Sequence, residues 1–168
     1  MEPIIRNAAI GDIPEITKIQ HSLAYPGRSD GFLIQKRSGE EFLRLMKACK
    51  YFFVAEVGGK IAGYMLVMDE NAGFSDNEIF SFYKKNYSNF VLVDQIGVQT
   101  DFQGNGIGKA LYGKLLSVEK KRILLEIFIK PMNSISVKCH EALGFRRTGD
   151  IIRMKIGYEA EVYEYGRK

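Results

Sequence analysis

At 168 residues the chain is long enough to bury the core of one domain. Its 46% hydrophobic and 26% charged residues are ordinary for a globular protein. A net charge of +4 and a pI near 9.0 suit an anionic ligand. However, the basic residues fall in short groups such as Lys84-Lys85 and Lys120-Lys121-Arg122, which argues against a nucleic-acid arm. Two distant cysteines, two histidines and no apolar run approaching ~20 residues argue against a disulfide framework, a metal site and a membrane span. A cytoplasmic protein is expected.

Residues 4–8, "IIRNA", read as an opening strand. A helix follows over 10–23, with Asp12 as N-cap, Pro14 in its first turn and Ile13, Ile16, Ile19, Gln20 and Leu23 at helical spacing. A Gly-containing loop leads to "SGEEFLRLMKACK", where Ser38 and Glu41 fit a capping box and Phe42, Leu45, Met46 and Cys49 form an apolar stripe. "YFFVAEV" and "KIAGYMLVM" are strands joined by a hairpin at Gly58-Gly59. Residues 70–89 read as an insertion with a short helix near 77–85.

"FVLVDQIGV" is the next strand, followed by the turn "DFQGNGIGKAL". Beyond it Ile107, Leu111, Leu115 and Val118 repeat as one helix face, with Tyr112 as packing. "ILLEIFIKP" is apolar at nearly every position, as in a strand covered on both faces. "NSISVKCHEALGF" is a helix ended by Gly144, with Ile135, Cys139, Ala142 and Leu143 expected on its core face. The remainder from Asp150 forms two strands with a turn near Gly157. The order implies an α/β chain of one domain, 1–168. Its sheet is mixed and mostly antiparallel, with one parallel βαβ crossover and helices on both faces.

The glycine turn carries the chemistry. Glycine weakens a helix by about 1 kcal/mol relative to alanine, yet Gly104, Gly106 and Gly108 stand where one begins. A strand running through glycines into a helix lets backbone approach a ligand. The unpaired N–H groups of the first turn, with the positive end of the helix dipole behind them, then form an anion cradle. A P-loop would need glycine at 103 and Ser or Thr at 110, where Gln103 and Ala110 stand. A dinucleotide fingerprint would need glycine or alanine at Lys109.

The frame that fits is Gln103-Gly104-Asn105-Gly106-Ile107-Gly108, a Q/R-x-x-G-x-G/A pattern. It resembles the acetyl-CoA-binding motif of the GNAT superfamily of N-acetyltransferases. "IIRNAAIGDIPEITKI", "NSISVKCHEALGFRRTGD" and "VYEYGRK" are similar to that family's opening, second signature and last strand. The resemblance implies acetyl-CoA as cofactor, with its pantetheine in a gap between two splayed parallel strands. Backbone at Ile96 and Val98 would meet the pantetheine. Gln103, Gly104, Asn105, Gly106, Ile107, Gly108 and Lys109 would hold the pyrophosphate, and Asn133 would border the cofactor. Where relatives carry cations near 103 and 105, this chain has Gln and Asn.

The implied reaction is direct attack of an amine on the thioester in a ternary complex. It needs a base for an ammonium of pKa ~10 and favours an acid for a thiolate of pKa ~8.5. Asp94, on the first splayed strand, is the candidate base. Glu126 is a second, because a charge in a buried run needs a partner. His140 occupies the place of the family's usual tyrosine and is the candidate acid. Asn133, Val137 and His140 share the helix edge where a cofactor could lie. The acceptor is a small-molecule or peptide amine, with no nucleic acid or membrane as partner, and the chain is a monomer or homodimer. A non-catalytic acyl-CoA-binding or interaction module is the alternative.

Overall fold

The computed structural model describes residues 2–73 and 77–166. Seven strands form one sheet in the order β1-β2-β3-β4-β5-β7-β6. They are β1 (Ile4–Asn7), β2 (Tyr51–Val57), β3 (Lys60–Asp69), β4 (Phe90–Val98), β5 (Arg122–Lys130), β6 (Phe145–Arg153) and β7 (Glu159–Tyr165). Every pairing is antiparallel except β4 with β5. The helices are α1 (Ile13–Ser22), α2 (Gly39–Ala48), α3 (Glu78–Asn86), α4 (Ile107–Val118) and α5 (Ser134–Ala142).

The apolar runs of the central strands are covered on both faces. Tyr64, Leu66 and Met68 of β3 pack in one cluster with Ile16 and Ile19 of α1, Phe42 of α2 and Tyr83 of α3. Met65 and Val67 point the other way, onto Ile107, Leu111 and Leu115 of α4. The period-2 alternation of a strand thus sends successive side chains into two separate cores.

Local signals behave as their chemistry dictates. Ser38 Oγ accepts from the Glu41 N–H at 3.2 Å while the Glu41 carboxylate accepts from the Ser38 N–H at 2.6 Å, which closes the capping box of α2. Asp12 differs from expectation. Its carboxylate makes no cap bond to α1 but accepts from the Ala9 N–H and pairs with Arg6, closing the short 3-10 turn ahead of the helix. β6 starts at Phe145, five residues before the expected strand. Val118, expected on the core face of α4, is exposed, whereas Leu115 and the following Glu119 are buried. Of the 70–89 insertion, α3 is a packed helix and residues 74–76 lie outside the described residues.

Gly97 is fixed by a close approach. A Cβ there would lie 2.6 Å from Cε1 of the fully buried Tyr64 ring. Gly97→Ala is therefore expected to destabilise the fold by about 1–3 kcal/mol through overpacking, read by urea denaturation.

What positions the site is a ladder that stops. β4 pairs with β5 only at Phe90–Arg122, Val91–Ile123 and Leu92–Leu124, although both strands run on for six more residues. On the other edge of β4 the register to β3 passes from Val93–Val67 to Gln95–Leu66, leaving Asp94 as an extra residue. Such a bulge bends its strand and increases its twist. β4 and β5 part where it occurs.

Candidate active site

The parted strands open a cleft of about 960 Å³. Ile96 and Val98 line one side of it, Glu126 and Phe128 the other, and the glycine turn one end. Gln99 N–H donates to the Ala62 carbonyl of the β3 side at 2.9 Å. Alternation along the strand therefore turns the Val98 and Ile96 N–H groups to the opposite edge, which faces the gap.

At the turn, Gly104 and Gly106 have φ of +79° and +77°, and a Cβ at either would meet no atom within 4 Å. Gly106 is the N-cap of α4, and no side chain caps the helix. The first-turn N–H groups of Ile107, Gly108 and Lys109 have no intrahelical partner by geometry, so donors and dipole face open space. The Ile107 side chain is buried and anchors the turn, leaving only its backbone for a ligand. Lys109 and Asn105 are exposed. Gln103 donates through Nε2 to the Val98 carbonyl at 2.9 Å and accepts at Oε1 from Arg28 at 3.1 Å. A phosphate-bearing cofactor with an extended amide arm fits this arrangement. The cradle presents donors with room before them, and the open strand edge offers unpaired backbone to the arm.

The opposite end of the cleft is acidic. Glu126, on β5, is enclosed by protein except toward the cleft, and its Oε2 accepts from Tyr83 Oη at 3.1 Å. Burial, with the Asp94 charge adding to it, pushes its carboxyl up to about 8. Asp94 sits opposite, but its Oδ2 is held at 2.6 Å by Nη1 of Arg37, a residue only 8% exposed. Arg37 also donates to Gln35 Oε1 at 2.8 Å. Its backbone N–H donates to Gln20 Oε1 at 2.7 Å, and Gln20 in turn meets Gln95, which accepts from Tyr64 Oη at 2.9 Å. Asp94 is thus the engaged partner of a braced arginine, whereas Glu126 is the carboxyl that opens on the cleft. Asp94→Asn is expected to destabilise the fold by about 3 kcal/mol in thermal melts, because Arg37 would keep its burial and lose its charge partner.

His140 is buried beside Tyr112. Its Nδ1 lies 2.7 Å from the Ser136 carbonyl, which only accepts, so Nδ1 carries the proton and Nε2 accepts from Tyr112 Oη at 2.9 Å. Burial lowers its pKa below the ordinary imidazole value. Both ring nitrogens are engaged, and burial favours the neutral ring. Tyr112 also lines the cleft, a position that its helical spacing disguised as packing alone. Asn133 is likewise engaged. Its Oδ1 accepts from Gly31 N–H and its Nδ2 donates to the Phe32 carbonyl, both at 2.9 Å.

The expected faces of α5 hold in part. Asn133 and His140 line the cleft as expected, although both are buried, and Leu143 packs on the core. Ile135 and Cys139, expected in the core, are exposed on the cleft, Ala142 is exposed, and Val137 packs inward. His21 is exposed, with Nε2 2.9 Å from the Arg37 carbonyl. Arg28, Arg37 and Tyr83 were not singled out from the sequence. Each acts on a partner at least 43 positions away, which no local pattern reveals. Among the described residues, no group of three or more His, Cys, Asp or Glu is placed to hold a metal. No helix among them is long and apolar enough to cross a membrane.

Comparison with known proteins agrees with this geometry. An N-alpha-acetyltransferase of Sulfurisphaera tokodaii is 30% identical over 148 residues, 84% of this chain and 79% of that one. An uncharacterized N-acetyltransferase of Methanocaldococcus jannaschii is 28% identical over 145 residues, and the match spans 84% of this chain but 59% of that relative's length. Among solved structures, Ard1 from Thermoplasma volcanium superposes with a TM-score of 0.73 at 16% identity, covering 98% of this chain and 97% of that one. A structure of yncA from Salmonella typhimurium with its cofactor acetyl-CoA gives 0.68 at 20% identity, covering 98% and 93%. The acetyltransferase (GNAT) family model matches residues 15–145. With the splayed strands and the uncapped glycine turn already in place, that match settles the family: the chain belongs to the GNAT acetyltransferases, which are acetyl-CoA-dependent N-acetyltransferases.

Proposed function

We propose that this cleft acetylates the α-amino group of a polypeptide, with Glu126 as the base. The observation that carries the assignment is the position of Glu126: a carboxyl inside the cleft, hydrogen-bonded by Tyr83, with a pKa of about 8. A base works best when its pKa lies near that of the group it deprotonates and near the operating pH. An α-amino group titrates at about 7.7–8.0 and a lysine at about 10.4, so an α-ammonium gives its proton to such a carboxyl more readily than a lysine does. The name of the Sulfurisphaera relative points to the same class of acceptor.

Bound acetyl-CoA supplies an activated acetyl thioester. Backbone N–H groups of Ile96 and Val98 hold the cofactor's amide arm, and those of Gly104, Gly106, Ile107, Gly108 and Lys109 hold its pyrophosphate. Glu126 takes a proton from the incoming ammonium onto its carboxylate, while Tyr83 Oη keeps the acid group oriented. Asp94 holds the Arg37 guanidinium at the same end of the cleft. His140 keeps Tyr112 Oη in place at the cleft wall. Ile79, Met154 and Ile156 border the acidic end and offer apolar surface to the first side chains of a peptide.

The test is thiol release from acetyl-CoA with two matched peptides, one with a free α-amine and no lysine, the other N-terminally blocked with one lysine. Turnover is expected with the first. Turnover confined to the second, or to a polyamine, would overturn the acceptor assignment.

A further inference from the structure

The cofactor cradle is short of charge on its own turn. Gln103 and Asn105 are neutral, and Lys109 is exposed. Yet a cation reaches it from elsewhere. Arg28, in the 23–38 connection between α1 and α2, lines the same cleft and donates from Nη2 to Gln103 Oε1 across 75 residues of chain. Resting on the acetyl-CoA reading above, we propose that Arg28 binds the cofactor's pyrophosphate, supplying from this loop the positive charge that the glycine turn lacks.

Three observations converge on this. First, Arg28 has no carboxylate within ion-pair distance among the described residues; its partners are the Gln103 amide and the Asp30 carbonyl, the latter at 2.8 Å from Nε. Second, the residue it bonds, Gln103, stands three positions before the uncapped start of α4, which carries partial positive charge, and both line the same cleft. An anion in that cleft is favoured by both. A guanidinium is suited to that anion, because its planar fork matches phosphate oxygens.

Third, the loop is pinned where it must be if Arg28 is to be aimed. Asp30 Oδ1 accepts from the Ile135 N–H at 2.9 Å, and Asp30 also accepts from the Ser134 hydroxyl, so it caps α5 from outside the helix. Asn133 holds Gly31 and Phe32 as described above. The guanidinium therefore hangs from a backbone fixed on the far wall of the cleft, with Gln103 steering its tip. Gln103 is then a positioning residue for Arg28, and the loss of a cation at 103 is compensated from position 28.

The experiment is calorimetric titration of wild type, Arg28→Ala and Arg28→Gln with CoA, 3′-dephospho-CoA and pantetheine. Thermal melts of the free proteins establish that each variant is folded, and Arg28→Gln keeps a donor for the Asp30 carbonyl. Both variants are expected to bind CoA and 3′-dephospho-CoA about tenfold or more weakly than wild type, the size of one hydrogen bond to a charged group. Pantetheine, which has no pyrophosphate, should bind all three proteins alike. Variants that bind CoA within twofold of wild type overturn the proposal, and so does a loss that vanishes with 3′-dephospho-CoA, which would move the contact to the 3′-phosphate. A wild type that binds no CoA overturns the acetyltransferase reading itself, whereas failure of the variants alone leaves that reading standing.

Discussion

Glu126→Gln is expected to lower kcat for acetyl transfer by about 10²–10⁴-fold while acetyl-CoA binding stays at the wild-type level. The substitution keeps the volume and a hydrogen-bonding partner for Tyr83 but removes the proton acceptor. In the wild type, kcat should rise with pH through about 8, because the carboxylate is the acting form. That limb should be absent from the variant. The sign for stability runs the other way. The folded state raises this carboxyl from 4.5 to about 8, so between those values the folded chain holds a proton that the unfolded chain has lost. Stability from this group therefore falls as pH rises from about 4.5 through about 8. The glutamine variant should melt higher than wild type at about pH 9 and show no such gain at about pH 4. A variant with wild-type kcat and an unchanged pH limb would remove Glu126 from the chemistry.

Gly106→Asp is expected to abolish the stabilisation of the chain by acetyl-CoA and leave the ligand-free fold near its original melting temperature. At 100 times its dissociation constant a ligand stabilises by about 2.7 kcal/mol. That shift is the signal that should disappear. Aspartate is among the residues that tolerate a left-handed backbone, and Gly106 has φ +77° with open space where its Cβ would go. A carboxylate at this N-cap also stabilises α4 through its first-turn N–H groups. It does so by occupying the donors that a pyrophosphate would use, and by repelling that anion. Retention of the full shift would place the phosphate elsewhere.

What the sequence makes legible divides by range. Capping at Ser38, the Gly58-Gly59 hairpin and the glycine turn are decided by residues within a few positions of one another, and each is legible by eye. The gap between β4 and β5 was implied only by resemblance, because a ladder that stops after Leu92–Leu124 leaves no local mark. Glu126 announced itself as a charge in an apolar run, although its partner Tyr83 did not. Two expected core residues of α5 face the cleft for a physical reason. Nine residues give a weak pattern, and the apolar side of a helix bordering a ligand cleft faces the ligand's space, so Ile135 and Cys139 resemble core residues that meet no core. The position of His140 suggests an acid, whereas the Ser136 carbonyl and Tyr112 hydroxyl that engage its two nitrogens belong to the folded arrangement.

The interrupted ladder has one more consequence, for the behaviour of the chain among other chains. A strand with unpaired backbone is an invitation to pairing by any extended polypeptide, and proteins ordinarily blunt such edges with charge, proline or a covering element. This fold needs unpaired backbone if a ligand is to be held by it, yet presents it in the interior of a seven-stranded sheet. The two open edges face each other, Asp94 and Glu126 set polar groups at their parting, and the segment anchored by Asp30 and Asn133 borders the cleft. The chain thus keeps a pair of reactive strand edges available to a slender ligand while denying them to aggregation.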